Sequence, residues 1–138
     1  MEDEGIRQLL RESRTVAVVG MSDKPERDSY QVGMYLRQHG YRVLPVNPAV
    51  SEVGGLPSYP SLSSLPSGTG VDLVDVFRRS DAVPAIVEEA LALHPRPRAV
   101  WLQLTVRSNS ARPVLERAGV AFVEDRCIMQ EHRRLLGG

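Results

Sequence analysis

The chain has 138 residues, 42% of them hydrophobic and 25% charged, a balance that fits one globular domain and argues against disordered, collagen-like or two-domain organisation. Seventeen basic and seventeen acidic side chains leave a formal net charge of zero, which argues against a general nucleic-acid binder. No apolar run approaches the roughly 18 residues of a membrane helix, and the acidic start Met1-Glu2-Asp3-Glu4 is unlike the basic head of a secretory signal, so the cytoplasm is the expected location.

The apolar pattern alternates between two periods along the chain. Glu4 to Glu12 reads as a short amphipathic helix with Ile6, Leu9 and Leu10 on one face. Thr15 to Val19 is a continuous apolar run stopped by Gly20, as in a strand buried on both faces. A polar stretch from Gly20 to Asp28 leads to Ser29, the expected N-cap of a helix through Tyr30, Val32, Tyr35 and Leu36 that stops at Gly40. Tyr41 to Val46 is the second strand, ended by Asn47-Pro48. Ala49 to Gly70 is rich in Ser, Gly and Pro and reads as loop, with one helical turn at Ser61 to Leu65.

Val71 to Phe77 is the third strand. From Asp81 runs a helix with Val83, Ile86, Val87, Ala90 and Leu91 on its apolar face, its Pro84 tolerated in the first turn. Ala99 to Leu104 is the fourth strand, Ser110 to Ala118 a helix, Val120 to Val123 the fifth strand, and Ile128 to Leu136 the last helix. Strands alternating with helices imply a parallel sheet with helices on both faces. The expected fold is α/β: one Rossmann-like doubly wound domain over residues 1–138, five parallel strands in the order 3-2-1-4-5, and an N-terminal helix (residues 1–13) packed on it.

Such sheets bind ligands beyond the carboxyl ends of their strands, at the switch point beside strand one. The loops of interest therefore follow Val19, Val46, Phe77 and Gln103. The first feeds a helix N-terminus and adds Ser22, Lys24, Arg27 and Ser29, so it is either a phosphate site or an ordinary capped turn. A dinucleotide fingerprint would need G-x-G-x-x-G where Gly20-Met21-Ser22-Asp23-Lys24-Pro25 stands, and an acidic residue where Val46-Asn47-Pro48 stands. NAD or NADP binding is therefore disfavoured, and no G-x-x-x-x-G-K-[ST] loop is present. After strand three, Arg78 and Arg79 suit a phosphate and Phe77 a base, or else Ser80 or Asp81 caps a helix and both arginines face water.

After strand four come Gln103 and Thr105, neutral groups with no carboxylate or histidine beside them. No serine lies in a G-x-S-x-G elbow. Alternation sends Asp72 and Asp75 to opposite faces. Cys127, the single cysteine, cannot form an intrachain disulfide and is expected to be buried; His132 is expected at the surface. With His39, His94 and His132 scattered, no metal site is expected, and no catalytic constellation is visible.

Four stretches together carry a resemblance: Val16 to Pro48 (VAVVGMSDKPERDSYQVGMYLRQHGYRVLPVNP), Val71 to Pro84 (VDLVDVFRRSDAVP), Ala99 to Leu104 (AVWLQL) and Glu124 to Leu135 (EDRCIMQEHRRL). They resemble the small, single-domain CoA-binding proteins, a family related to the CoA-binding N-terminal domain of the succinyl-CoA synthetase alpha subunit. The resemblance implies coenzyme A contacts at Gly20, Met21, Ser22 and Asp23, with Arg27 and Ser29 near the phosphates. It places Asn47 and Pro48 against the adenosine end, Phe77 and Arg78 beyond strand three, and Gln103 and Leu104 beside the pantetheine arm. Thr105 departs from the glycine that the family leads one to expect close to this place, and a side chain there narrows the pocket against long acyl groups. His132 does not inherit the phosphorylated histidine of the synthetase, which belongs to a further domain. The expected function is non-catalytic binding of coenzyme A or an acyl-CoA, as carrier, sensor or regulatory module, with no nucleic-acid or membrane partner. The alternatives are a CoA-dependent enzyme subunit completed by a partner chain, and a mixed disulfide between Cys127 and the CoA thiol.

Overall fold

Each apolar run becomes a strand in the computed structural model, which describes residues 1–137 and leaves Gly138, the last residue of the expected domain, outside. The strands are β1 (Thr15–Val19), β2 (Arg42–Val46), β3 (Leu73–Val76), β4 (Ala99–Leu102) and β5 (Ala121–Val123). All pair in parallel. Every residue of β1, β3 and β4 is buried, because both faces of the sheet are covered. Helices α1 (Asp3–Glu12), α2 (Asp28–Gln38) and α5 (Ile128–Leu136) cover one face. There Ile6, Leu10, Val32, Leu36 and Ile128 pack with Val16, Val18, Leu73 and Trp101. On the other face α3 (Val83–Leu91) and α4 (Ala111–Arg117) bring Val83, Ile86, Val87 and Leu115 against Ala17, Val19, Val74, Val76, Val100 and Leu102. Successive strand residues thus alternate between two cores, as the pleat requires.

The strand order is β2-β1-β3-β4-β5, and this corrects the expected 3-2-1-4-5: the third strand lies on the other side of β1. The connection after β2 has no α-helix to carry a crossover outward; it holds a small hairpin (Glu52–Val53 with Leu56–Pro57) and a 3-10 turn (Leu62–Ser64). That segment returns along the free edge of β2, where the Tyr59 N–H donates to the Pro45 carbonyl at 3.0 Å and the Asn47 N–H donates to the Tyr59 carbonyl at 2.8 Å. The place beyond β2 is therefore taken. Pro45 has no N–H for a ladder, which suits an edge strand and not a central one. Ahead of β3, the Asp72 carboxylate accepts the Arg14 and Thr15 N–H groups at 2.8 and 2.9 Å, which pins β3 beside β1.

His132 is likewise corrected, since it is buried and only 7% exposed. The last turns of α2 and α5 converge, so the Tyr35 hydroxyl and His132 Nδ1 are hydrogen-bonded at 2.8 Å and the His39 and His132 rings lie 5.2 Å apart, not scattered. Burial, helped by His39, holds the His132 imidazole below its usual pKa. Among the described residues no group of three or more His, Cys, Asp or Glu side chains is placed to hold a metal, and no helix is long and apolar enough to cross a membrane.

Candidate functional site

With this order the sheet reverses direction of winding between β1 and β3, so a ligand crevice belongs beyond their carboxyl ends. The two loops there nearly touch. Gly20 has φ +87°, and a Cβ on it would stand 2.4 Å from the Phe77 carbonyl oxygen. Only glycine combines that left-handed backbone with so close an approach.

The β1 loop differs from its expected form. Met21 is fully buried, its side chain laid over Gly33 of α2, where a Cβ would meet Met21 Cε at 2.3 Å. Only its backbone is available, and its carbonyl already accepts from Asn47 Nδ2 at 2.9 Å. Ser29 does not cap α2, whose N-cap is Arg27 with no side-chain cap bond. Ser29 is instead buried inside the first turn, where its Oγ accepts the Ser22 N–H at 2.9 Å and closes the loop on itself. The Ser22 hydroxyl accepts the Lys24 N–H at 3.0 Å, and Asn47 Oδ1 accepts the Ala49 N–H at 2.9 Å. Asp23, Arg27 and Pro48 are exposed. These groups make a rigid shoulder, and none of Gly20, Met21, Ser22, Asp23, Arg27, Ser29, Asn47 or Pro48 lines the cleft beside it.

The cleft itself has a volume of about 620 Å³ and is lined by four of the expected residues, Phe77, Arg78, Gln103 and Leu104. Arg79, Ser80, Thr105 and Val106 extend those two loops into it. Sequence reasoning missed the remaining walls: Asp28, Gln31 and Val32 from α2, and Cys127, Met129 and Gln130 from the start of α5. Cys127 is buried as expected, yet it stands in this wall. The last three belong to the Glu124–Leu135 stretch, but no local pattern says that its helix reaches the strand ends. Among the described residues no carboxylate is paired with Arg78, which is exposed at the rim, while Arg79 lies 3.6 Å from Asp81. Leu104 is half exposed, an apolar surface at the mouth.

The loops after β3 and β4 are tied together, the Arg107 N–H donating to Ser80 Oγ at 3.0 Å. Asp125 clamps the second loop from below, accepting the Thr105 N–H at 2.7 Å and Arg107 Nη2 at 2.5 Å. These two donors hold the Asp125 carboxyl below the usual carboxylate range. Thr105 has φ +71°, the left-handed backbone that favours the glycine expected close to this place and disfavours a β-branched residue. Thr105→Gly should therefore stabilise the chain by about 1 kcal/mol and raise the midpoint of thermal unfolding by about 4 °C. An unchanged or lower midpoint in calorimetry would show that the loop carries no such strain.

Behind the cleft lies one buried ionisable group. Asp75, at the centre of β3, is wholly buried; Gln103 Nε2 donates to its Oδ1 at 2.5 Å, and its Oδ2 has no hydrogen-bond partner among the described residues. Burial pushes the carboxyl up to about 7, against the smaller opposing effect of the Gln103 bond. Asp72 does not share its surroundings, being tied to the amides at the start of β1 and to Arg98 at 3.3 Å.

Comparison with known proteins agrees with this architecture. The family model for the CoA binding domain matches residues 14–133. The protein YneT of Bacillus subtilis is 34% identical over 127 residues, 92% of this chain and 91% of that protein. A solved structure from Pyrococcus horikoshii OT3 is 39% identical with a TM-score of 0.91, covering 99% of this chain and 94% of that one. The dinucleotide-forming acetyl-coenzyme A synthetase of Ca. Korarchaeum cryptofilum shares the fold at 22% identity and a TM-score of 0.65, over 84% of this chain and 27% of that one.

Proposed function

The chain belongs to the CoA binding domain family, and from that premise we propose that it binds coenzyme A or an acyl-CoA in the cleft beyond β1, β3 and β4, as a non-catalytic carrier, sensor or regulatory module. The observation that carries the reading is the cleft of about 620 Å³ at the point where the winding reverses, rimmed by Arg78, which has no carboxylate partner among the described residues. Its chemistry suits the ligand. CoA joins a pyrophosphate and a ribose 3′-phosphate to an adenine and a long amide-bearing arm. Arg78 and Arg79 supply charge-assisted donors for phosphate, Phe77 a ring for the base, and Leu104 and Gln103 an apolar and a polar contact for the arm. Asp28 in the same wall disfavours phosphate at the α2 end, so the anionic half of the ligand belongs on the arginine side. Among the described residues, the ionisable side chains of the cleft are Asp28, Arg78, Arg79 and Cys127, which form no pairing of a nucleophile with a base.

Isothermal titration calorimetry of ligand-stripped protein against CoA, acetyl-CoA, 3′-dephospho-CoA and NAD tests the proposal. Binding of CoA or acetyl-CoA with no heat from NAD is the expected result, and absence of binding by both CoA and acetyl-CoA would overturn it. Arg78→Ala should weaken CoA by about 1–3 kcal/mol through loss of a charge-assisted contact. Unchanged affinity would remove Arg78 from the site.

A further inference from the structure

The buried pair of Asp75 and Gln103 bears on what the cleft recognises. Gln103 is only 4% exposed, and it lines the cleft while its Nε2 is committed to Asp75. Its amide oxygen makes no bond to the protein among the described residues and is not wholly enclosed, so with Nε2 committed to Asp75 it is the side-chain atom available to the cleft that Gln103 lines. The partner behind it is incomplete, because Asp75 Oδ2 is buried and unpartnered. We propose that Asp75 is a positioning residue whose proton decides whether Gln103 presents its amide oxygen or its amide NH2 to the ligand.

The switch needs no backbone movement. Ionised Asp75 can only accept, so Gln103 must turn its NH2 inward and its oxygen toward the cleft. Protonated Asp75 donates its O–H to the amide oxygen, and a half-turn about the terminal torsion of Gln103 then puts the NH2 into the cleft. One proton moves between Asp75 and solvent, the Gln103 Nε2–H bond to Asp75 is exchanged for an Asp75 O–H bond to the Gln103 amide oxygen, and no other covalent bond changes. Because burial brings the carboxyl to about 7, both forms are populated near neutrality.

The surroundings leave this titration to Asp75 alone. Val18 and Trp101 flank it in the sheet. The core on its face takes apolar side chains from α1, α2 and α5, with Tyr30, Tyr35, Tyr41 and Cys127 as its titratable members and His132 bonded to Tyr35. The charged groups of the adjoining cleft are Asp28, Arg78 and Arg79. None of these contributes to the Asp75 shift, whose causes are burial and the Gln103 bond.

The inference rests on the cleft being the ligand site, with Gln103 beside the arm that ends in the thiol or thioester. A thioester offers a carbonyl acceptor where free CoA offers an S–H. The ionised state of Asp75 therefore favours CoA, and the protonated state favours acetyl-CoA. Both ligands carry the same phosphates, so phosphate titration cancels in the ratio of their dissociation constants. From pH 8 to pH 5.5 that ratio should move about tenfold toward acetyl-CoA in the wild type, the worth of one hydrogen bond, and stay constant in Asp75→Asn. A constant wild-type ratio, or an equal change in Asp75→Asn, would overturn the inference. A second readout needs no ligand: the Gln103 side-chain NH2 resonances of the wild type should titrate with a midpoint near Asp75's own, and stay flat in Asp75→Asn. If neither ligand binds, the assignment of the cleft fails, and the NH2 titration alone decides whether Asp75 orients Gln103; its absence overturns the switch.

Discussion

Gly20→Ala should destabilise the chain by about 3 kcal/mol or more, the effect of a left-handed backbone forced on alanine together with a backbone collision. The added methyl would stand 2.4 Å from the Phe77 carbonyl oxygen, an atom held in the sheet by the Phe77 N–H bond to the Val19 carbonyl at 2.8 Å. Neither loop can retreat easily. The Gly20 N–H is bonded to the Val46 carbonyl at 2.8 Å, and its neighbour Met21 is fully buried. Gly33→Ala is the control. Its Cβ would come as close, 2.3 Å, but to the Cε end of Met21, and a thioether can change rotamer where a peptide cannot. Alanine also suits the interior of α2 better than glycine, so this variant should lose less than about 1 kcal/mol. Chemical denaturation of both variants separates the cases. Equal midpoints would mean that the approach of the β1 and β3 loops is not the constraint described here.

Asp75→Asn should stabilise the protein, and by an amount that depends on pH. In the fold the carboxyl titrates at about 7, against 3.8 for the ordinary group. Below the lower value both states are protonated and the carboxyl imposes no penalty. Between the two values the unfolded chain gives up its proton while the native chain keeps it, so stability falls as pH rises. Above the upper value the native chain carries a buried anion with one unpartnered oxygen, and the deficit is complete, on the order of 4 kcal/mol. Asparagine has nothing to ionise. Its advantage over the wild type should thus vanish near pH 4 and be fully developed at pH 8, as read from urea unfolding at the two pH values. An advantage constant across that range would mean that Asp75 does not ionise inside the fold.

A residue that weakens the fold at neutral pH and stands one hydrogen bond behind the proposed ligand cleft fits a role in recognition better than one in stability. The expected gain from Asp75→Asn and its expected loss of pH-dependent discrimination are two consequences of the same buried carboxyl. The clamp at Asp125 has a similar position. It holds Thr105 in a backbone conformation that glycine would adopt freely, and so sets the loop that carries Leu104 to the mouth of the cleft.

The elements themselves were legible from local pattern. The apolar run of β1 and the periodicity of α5 predict Thr15–Val19 and Ile128–Leu136 with the same limits that the fold has. Phe77, Arg78 and Gln103 were legible as cleft-lining positions, because residues at the carboxyl end of a central strand must open onto the crevice whatever the strand order, whereas Leu104 came only from the family resemblance. Where local chemistry had two readings, the pattern did not choose. Ser29 looks like a cap and serves instead as acceptor for the Ser22 amide, since α2 begins one residue earlier, at Asp28.

Strand order, the walls of the cleft and the burial of His132 were decided by tertiary structure. Hydrophobic period reports which face of an element is buried and is silent on which element buries it. The order turned on Tyr59 filling the edge of β2 and on Asp72 pinning β3 to β1, contacts between residues far apart in the chain; Pro45 was the one local sign, as a strand residue that suits an edge. Gln31, Cys127 and Gln130 reach the cleft only because α2 and α5 pack side by side on one face of the sheet and bring their N-terminal ends over its strand ends. That convergence is a property of how the helices dock, and no spacing within either helix encodes it.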